Sequence, residues 1–434
     1  MTFLNVVEIE SALEGLASGY PGMAELITLP YPTAEGRRSH AIRIGSLECY
    51  RTTVLIISGQ HAREWGGPDI CINFVADLLE AWALGTGLVY GGTSFSAAQL
   101  RAIRNGVEIV VFPNVNPDGR HHSQTTADAL WRKNRNPASS GGVASRIGVD
   151  VNRNYKFLWD FPVTFAPSAV FAGTLASNDP GNDLYHGTTP FSEAESKNVR
   201  WLFERFPRIG QFIDIHSFGG DILYTWGDDE NQSSTTAMNF MNGMWNGQRG
   251  LKGDLYGEYI APIDLTEMEN TADTMNSAIT GVRGVSYLTA QSFFLPGFLK
   301  YPTSGASTDW AFSRHYADPS KRKVFSYAIE FNRTPDRNER HFFPDWAEME
   351  RIILDVDAGL VAFCLRAAPR MMDFFIHPCR LRIWLYRMFW FLVPPEIRGP
   401  YGLWARLPQL FRSMLFFAGA VTALRLLGRL FRRH

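Results

Sequence analysis

Four mainly apolar runs along the chain have the length of β-strands. They comprise residues 52–58, 107–112, 209–216 and 325–331, and β-branched or aromatic residues are frequent in them. Short runs of this kind are typical of strands that are covered on both faces. The pattern therefore predicts a buried sheet.

Helical spacing of apolar residues appears between these runs. Pro68 and Asp69 suit the first turn of a helix, and the apolar residues after them recur every three or four positions. A second helix is predicted over residues 193–206, and Ser192 and Glu195 at its start have the spacing of a capping box.

Strands that alternate with helices over about 360 residues are typical of the α/β class. We expect a central mixed, mainly parallel sheet covered by helices on both faces, within one domain over residues 1–366. Two glycine- and serine-rich stretches, 85–97 and 138–145, are predicted to be surface loops. Sites in such folds lie beyond the carboxyl ends of the strands, so the polar residues that close the apolar runs are the first candidates for chemistry.

Three of these polar residues are candidate metal ligands. His61 and Glu64 follow the first run as H-x-x-E, so an imidazole nitrogen and a carboxylate oxygen can converge on one ion. His216 ends the third run and is the candidate third ligand. Two histidines and a glutamate leave a position for water, as in hydrolytic zinc sites. From these residues alone, however, an ordinary polar turn and a structural histidine are the more common explanation.

Glu330 lies within the last apolar run, in the stretch SYAIEF. A carboxylate flanked by apolar residues is unfavourable to bury unless a cation or a metal lies nearby. Glu330 is therefore the residue for which a purely structural explanation is hardest to sustain.

A series of short motifs occurs in one order along the chain. They are HAREW (61–65), NPDG (116–119), WRKNR (131–135), GVDVNRNY (148–155), HGTTPFSEAE (186–195), IDIHS (213–217), YPTSGASTDW (301–310) and AIEF (328–331). In this order they resemble the motifs of zinc metallocarboxypeptidases of the carboxypeptidase A/B type, the funnelins. The resemblance extends from about residue 5 to residue 366, and several motifs in one order are far more specific than any one of them.

The resemblance implies a metal site with one Zn²⁺ ion as cofactor. His61, Glu64 and His216 match the zinc ligands of the family. Asp150 matches the carboxylate that orients the first ligand histidine and fixes its tautomer.

The resemblance also implies catalytic and substrate-binding roles. Glu330 matches the general base that takes a proton from water activated at the zinc and passes it to the leaving amine. Arg132 matches the residue that stabilises the oxyanion. Asn152 and Arg153 match the pair that holds the terminal carboxylate of the substrate, and Tyr301 matches the tyrosine that closes over the bound C-terminal residue.

The specificity pocket implied by the resemblance is uncharged. Thr308 matches the residue at the base of the pocket, and a neutral side chain there favours an uncharged C-terminal residue. Gly227 and Ala328 match other pocket positions and leave room for a large side chain. Lys300 keeps an acidic residue open as an alternative, and Arg63 matches a secondary substrate contact further out.

These matches predict a zinc-dependent exopeptidase that releases single C-terminal residues, apolar or aromatic ones, from peptides. Its partners would be the C-termini of peptides or proteins, and we expect a monomer. Two alternatives stay open. The chain could be a non-catalytic module that binds free peptide C-termini, or a related zinc amidohydrolase that acts on another C-terminal amide.

Residues 367–434 differ from the rest of the chain. They contain 11 arginines, no lysine and two acidic residues, although the net charge of the whole chain is −1 and gives no reason to expect nucleic-acid binding. Their longest uncharged run, 413–424, is well short of the roughly 20 residues that a membrane-spanning helix needs. We expect helices in a membrane interface, with Trp384, Trp390 and Trp404 at headgroup depth. A mis-set gene boundary is the alternative.

The four cysteines show no C-x-x-C spacing, so they are expected to be small buried hydrophobic residues, and neither a zinc knuckle nor a disulfide framework is indicated. The first 16 residues lack a basic start and carry three glutamates where a signal peptide would be apolar. A cytoplasmic location is therefore the expectation, or secretion if the N-terminus is incomplete.

Overall fold

An eight-stranded sheet forms the centre of the computed structural model, which describes residues 2–45, 52–292, 301–333 and 339–368. The strands of the described residues, in chain order, are β1 (Ala24–Thr28), β2 (His40–Ile44), β3 (Thr52–Ser58), β4 (Leu88–Tyr90), β5 (Thr93–Phe95), β6 (Val107–Phe112), β7 (Ile209–Ser217), β8 (Asp221–Tyr224), β9 (Asn231–Gln232), β10 (Glu258–Tyr259), β11 (Leu288–Gln291) and β12 (Phe325–Phe331).

The strand order of the large sheet is β1-β2-β6-β3-β7-β12-β8-β11. The four central strands β6, β3, β7 and β12 are parallel to one another. Antiparallel pairs join β1 to β2, β2 to β6 and β12 to β8. The expected mixed, mainly parallel sheet is confirmed, and the four apolar runs are its four central strands.

Helices cover this sheet. They are α1 (Val6–Gly19), α2 (Gly66–Leu84), α3 (Ala97–Gly106), α4 (Pro117–Thr125), α5 (Phe161–Thr164), α6 (Pro167–Phe171), α7 (Ala194–Arg205), α8 (Pro262–Arg283), α9 (Ser307–Ala317) and α10 (Trp346–Ala367). Short 3₁₀ turns lie at Ala144–Arg146, Val151–Arg153, Gly243–Trp245 and Glu339–Phe342.

Alternation along β12 shows how the two helical layers lie on opposite faces. The ring of Tyr327 packs against Phe363 of α10, with centroids 5.5 Å apart. The neighbouring Ser326 points the other way, and its hydroxyl donates to the carbonyl oxygen of Thr308 in α9 at 2.8 Å. Successive side chains of a strand project to opposite faces, so α10 and α9 cover different faces.

Two local predictions were wrong. Helix α7 begins at Ala194 after an N-cap at Glu193, and that cap has no side-chain hydrogen bond. The expected capping box is absent because the hydroxyl of Ser192 donates to the carboxylate of Glu193 at 2.6 Å instead. The stretch 85–97 is not a plain loop, because β4 and β5 pair as a hairpin across Gly91, whose φ of 54° suits glycine.

Several expectations concern residues outside the described part of the chain. They comprise the tail 369–434 with its three tryptophans, and Lys300, Cys49 and Cys379. Cys71 and Cys364 are buried, as expected. Among the helices of the described residues, none combines the length and the apolar character that crossing a membrane requires.

Candidate metal centre

The three candidate ligands lie at the carboxyl ends of two neighbouring strands. His61 and Glu64 lie in the turn between β3 and α2, and His216 is the penultimate residue of β7. Because β3 and β7 are parallel neighbours, their carboxyl ends meet at the same edge of the sheet. Gly59 makes the turn possible, since it has a φ of 70° and its backbone packs against Asn114.

The side chains of these residues converge. Nδ1 of His61 lies 2.6 Å from Oε1 of Glu64, and Nδ1 of His216 lies 2.9 Å from Oε2 of the same carboxylate. The two Nδ1 atoms are 3.2 Å apart, and all three residues are buried. Two imidazole nitrogens and one carboxylate oxygen that point at a common position form a donor set that suits zinc.

Each candidate histidine has a buried carboxylate behind it. Oδ1 of Asp150 lies 3.3 Å from Nε2 of His61, as the sequence led us to expect. Oδ2 of Asp214 lies 3.0 Å from Nε2 of His216. Asp214 is not among the residues predicted from the sequence, although it is a carboxylate inside an apolar strand and so carries the same signal as Glu330.

Arg132 is anchored by Asp150. Its Nε and Nη2 atoms lie 3.0 and 2.9 Å from Oδ2 of that carboxylate. Burial alone would raise the pKa of Asp150, but the charges of Arg132 and His61 hold it well below its usual range. The carboxylate therefore stays ionised and fixes both the guanidinium and the imidazole.

Glu330 lines the same cleft as the three candidate ligands. Burial raises the pKa of this carboxyl group to about 8, and the nearby carboxylates of Glu64 and Asp221 add to the effect, whereas His216 and Arg132 oppose it. A carboxyl group that changes its protonation state near neutral pH is suited to proton transfer.

The cleft above the candidate ligands has a volume of about 390 Å³. The structure brings together in its wall nearly every residue that the sequence singled out, namely Arg63, Arg132, Asn152, Arg153, Tyr301, Thr308, Ala328 and Glu330. The guanidinium of Arg63 packs against Phe342, and its central carbon lies 4.6 Å from the ring centre. Tyr301 is 45% exposed, which suits a residue that meets an incoming ligand.

Asn152 and Arg153 are held by backbone groups. The backbone N–H of Ser307 donates to Oδ1 of Asn152 at 2.8 Å, and Nδ2 of the same amide lies 3.3 Å from Nε2 of His216. Nε of Arg153 donates to the carbonyl oxygen of Leu175 at 2.6 Å, and its Nη1 donates to that of Asn152 at 2.9 Å. The guanidinium is therefore buried and oriented before any ligand arrives.

Part of the cleft wall is formed by small, uncharged residues. Thr308 lies there with 8% of its surface exposed, beside Ala306, Ala328 and Thr303. Gly227, an expected pocket residue, lies behind this wall: a Cβ atom at that position would be 2.8 Å from Oγ1 of Thr303. Thr303 is not among the residues predicted from the sequence.

The chain is similar to known carboxypeptidases. A family model described as zinc carboxypeptidase matches residues 9–356. Carboxypeptidase B of Astacus astacus is 28% identical over 307 residues, which cover 70% of this chain and 80% of that protein. Carboxypeptidase A2 of Rattus norvegicus is 26% identical over 305 residues, which cover 70% of this chain but 58% of that protein. The crystal structure of carboxypeptidase A from Helicoverpa armigera has a similar fold, with a TM-score of 0.61 and 24% identity, and the match covers 84% of this chain and 73% of that one.

Another relative has a name that denies activity. A protein of Ajellomyces dermatitidis named inactive metallocarboxypeptidase is 30% identical over 220 residues, which cover 49% of this chain and 32% of that protein. Overall similarity is therefore compatible with an active or an inactive chain. The catalytic residues of the cleft are therefore the basis for distinguishing an active chain from an inactive one.

Proposed function

This chain belongs to the zinc carboxypeptidase family, and we propose that it is an active enzyme that releases single uncharged residues from free peptide C-termini, with Glu330 as the general base. The observation that supports activity is the presence of Glu330 and Arg132 in one cleft with His61, Glu64 and His216.

Zinc held by His61, Glu64 and His216 would supply a Lewis acid that polarises the scissile carbonyl group and makes water a better nucleophile. The carboxylate of Glu330 would accept the proton of the attacking water and deliver it to the leaving amine. Arg132 would donate to the oxygen on which negative charge develops, and its contact with Asp150 orients it for that purpose.

The free carboxylate of the substrate has two candidate donors. The buried guanidinium of Arg153 supplies a fixed positive charge, and Nδ2 of Asn152 supplies a neutral donor beside it. These donors would select a peptide that ends in a free carboxylate, and they would hold its last peptide bond in the cleft that Glu330 also lines.

The side chain of the released residue would enter the end of the cleft near Thr308. Described residues there include Thr303, Ala306 and Ala328, and none of them carries a charge. A charged side chain would lose its hydration without gaining a partner from these residues. We therefore propose uncharged C-terminal residues as substrates.

A non-catalytic module that binds peptide C-termini is the second candidate, because a relative of similar identity is named inactive. The two candidates differ in turnover. The purified full chain should contain about one zinc ion and should hydrolyse an N-acylated dipeptide that ends in Phe, but not the same dipeptide with a C-terminal amide. Zinc and saturable binding of the free acid without hydrolysis would support the non-catalytic module. Hydrolysis of the amide would support the zinc amidohydrolase.

A further inference from the structure

A carboxylate that the catalytic scheme does not use lies inside β7. Asp214 is fully buried, two residues before His216, and its side chain projects to the same face of the strand. Its neighbours in the chain, Ile213 and Ile215, belong to the hydrophobic core. A buried charge in such a strand requires specific partners.

All of these contacts with Asp214 are made by one of its carboxylate oxygens, Oδ2. Oδ2 lies 3.0 Å from Nε2 of His216, and it accepts a hydrogen bond from the hydroxyl of Ser307 at 2.6 Å. The side-chain amide of Gln60 also donates to it. Oδ1 has no hydrogen-bond partner among the described residues. The orientation of the carboxylate is therefore set by contacts on one side.

The geometry decides which nitrogen of His216 is available to a metal. Nε2 lies 3.0 Å from the carboxylate of Asp214 and 3.3 Å from Nδ2 of Asn152, and of these two neighbours only the carboxylate can accept its proton. Nδ1 faces the position shared with Glu64 and His61. A histidine that donates its Nε2–H to a carboxylate keeps the lone pair of Nδ1 for a metal ion. His61 has the same arrangement, since its Nε2 faces Asp150 and its Nδ1 faces the shared position.

Two further contacts keep Asp214 in place and connect it to the substrate site. Oε1 of Gln60 accepts a hydrogen bond from the hydroxyl of Tyr155 at 2.9 Å, which fixes the direction of its amide. Ser307, whose hydroxyl donates to Asp214, also donates its backbone N–H to Oδ1 of Asn152 at 2.8 Å. One residue thus orients both the carboxylate behind His216 and a candidate donor to the substrate.

We propose that Asp214 is a positioning residue for the metal centre: it holds His216 in the tautomer and orientation that present Nδ1 to zinc, so that each of the two histidines has its own carboxylate. The proposal rests on the zinc site of the proposed function. It assigns a role to a residue that is not a candidate ligand and that would act through His216.

The experiment measures zinc affinity in the full chain by competition with a chelator of known affinity. Asp214→Ala should raise the Kd for zinc about 10–100-fold, the usual effect of losing such a partner. Asp214→Asn should raise it less, because an amide oxygen can still accept from Gln60 and Ser307 and lie beside Nε2 of His216, but it carries no charge. Asp357→Asn is the matched control, since Asp357 is equally buried, accepts from Asn73 and contacts none of the candidate ligands. Its Kd for zinc should stay within about twofold of the wild-type value.

A second measurement covers the case in which Asp214→Ala does not fold. The visible spectrum of the cobalt-substituted protein reports the ligand field of the metal, and Asp214→Asn should shift it, whereas Asp357→Asn should not. If both variants fold, a Kd for Asp214→Asn between the wild-type and alanine values supports the positioning role.

The positioning role of Asp214 and the zinc site itself are contradicted by different outcomes. A wild-type Kd and an unshifted cobalt spectrum in Asp214→Asn, with zinc bound normally, would refute the positioning role alone. If the wild-type chain binds no zinc, or if His216→Ala binds zinc as the wild type does, the zinc site of the proposed function is wrong and the positioning role falls with it.

Discussion

Glu330 and His216 are direct partners in the parallel register of β12 and β7. Registered residues of neighbouring strands project to the same face of a sheet, so the candidate base and a candidate zinc ligand are placed side by side by the backbone of two central strands. This placement does not depend on a loop. A rigid sheet is a suitable support for groups whose separation must stay constant during catalysis.

The register leads to a prediction for the base. Glu330→Gln should keep zinc at the wild-type level, because Glu330 is not a candidate ligand, but should reduce kcat about 10²–10⁴-fold, because an amide cannot accept the proton. Metal content and kcat are measured on the same preparation. Glu204→Gln, a change at an exposed glutamate of α7, is the matched control and should leave both values unchanged. Near-normal turnover by Glu330→Gln would remove Glu330 from the role of base.

The sequence was sufficient for the centre of the sheet but not for its edges. Apolar runs predicted β3, β6, β7 and β12, because strands buried on both faces have to be apolar throughout. The edge strand β1 has no fully buried residue, and β8, which lies beside the edge strand β11, is four residues long, so neither produces a run that stands out. The predicted capping box failed because hydrogen-bonding residues at a helix start have several possible partners.

The candidate site shows a similar division. His61, Glu64 and His216 could be found because metal ligands at strand ends leave a pattern in the sequence. Asp214 was missed, although a carboxylate between two isoleucines is a signal in itself. Its partners could not be read from the sequence, because Ser307 is 93 residues away and Gln60 is 154 residues away. Only the fold brings these groups to one oxygen atom.

A charge at the base of the pocket should change specificity. Thr308→Asp should shift the preference from uncharged residues toward C-terminal Lys or Arg by at least about tenfold in kcat/KM, which corresponds to ~1.4 kcal/mol. The reason is that a buried carboxylate without a partner is unfavourable, and a cationic side chain supplies the partner. Thr308→Asn has nearly the same size without the charge and should keep the original preference. If the aspartate variant ranks substrates as the wild type does, Thr308 is not at the base of the pocket.

The wall behind the pocket gives a further prediction. A methyl group at Gly227 would lie 2.8 Å from Oγ1 of Thr303 and 3.0 Å from Oδ2 of Asp309, closer than side chains normally approach. Gly227→Ala should therefore push Thr303 into the cleft and raise KM for a large C-terminal residue more than for alanine. Adding Thr303→Ala should restore much of the loss, because the displaced hydroxyl is then gone. Equal KM changes for large and small residues would show that Thr303 does not border the pocket.

The last prediction concerns stability and pH at Glu195 of α7. Burial, with the neighbouring charges of Glu193 and Asp118, raises the pKa of this carboxyl group from 4.5 to about 8, although it accepts a hydrogen bond from Asn134 at 3.0 Å. The folded chain therefore binds this proton more tightly than the unfolded chain does. Its contribution to the free energy of unfolding is complete below about pH 4.5 and is lost as the pH rises through about 8.

Glu195→Gln removes this titration while keeping an oxygen that can accept from Asn134. The wild-type chain should lose more stability than the variant between pH 6 and pH 9, so the difference in denaturation midpoint should move in favour of the variant as the pH rises. Comparing the two chains removes the contribution of other titrating groups, such as Asp229 and Glu258, which are present in both. Glu204→Gln on the exposed face of the same helix serves as control and should follow the wild type at every pH. Parallel pH profiles for the wild type and Glu195→Gln would mean that Glu195 is ionised in the folded chain at neutral pH, and its pKa would then not be raised.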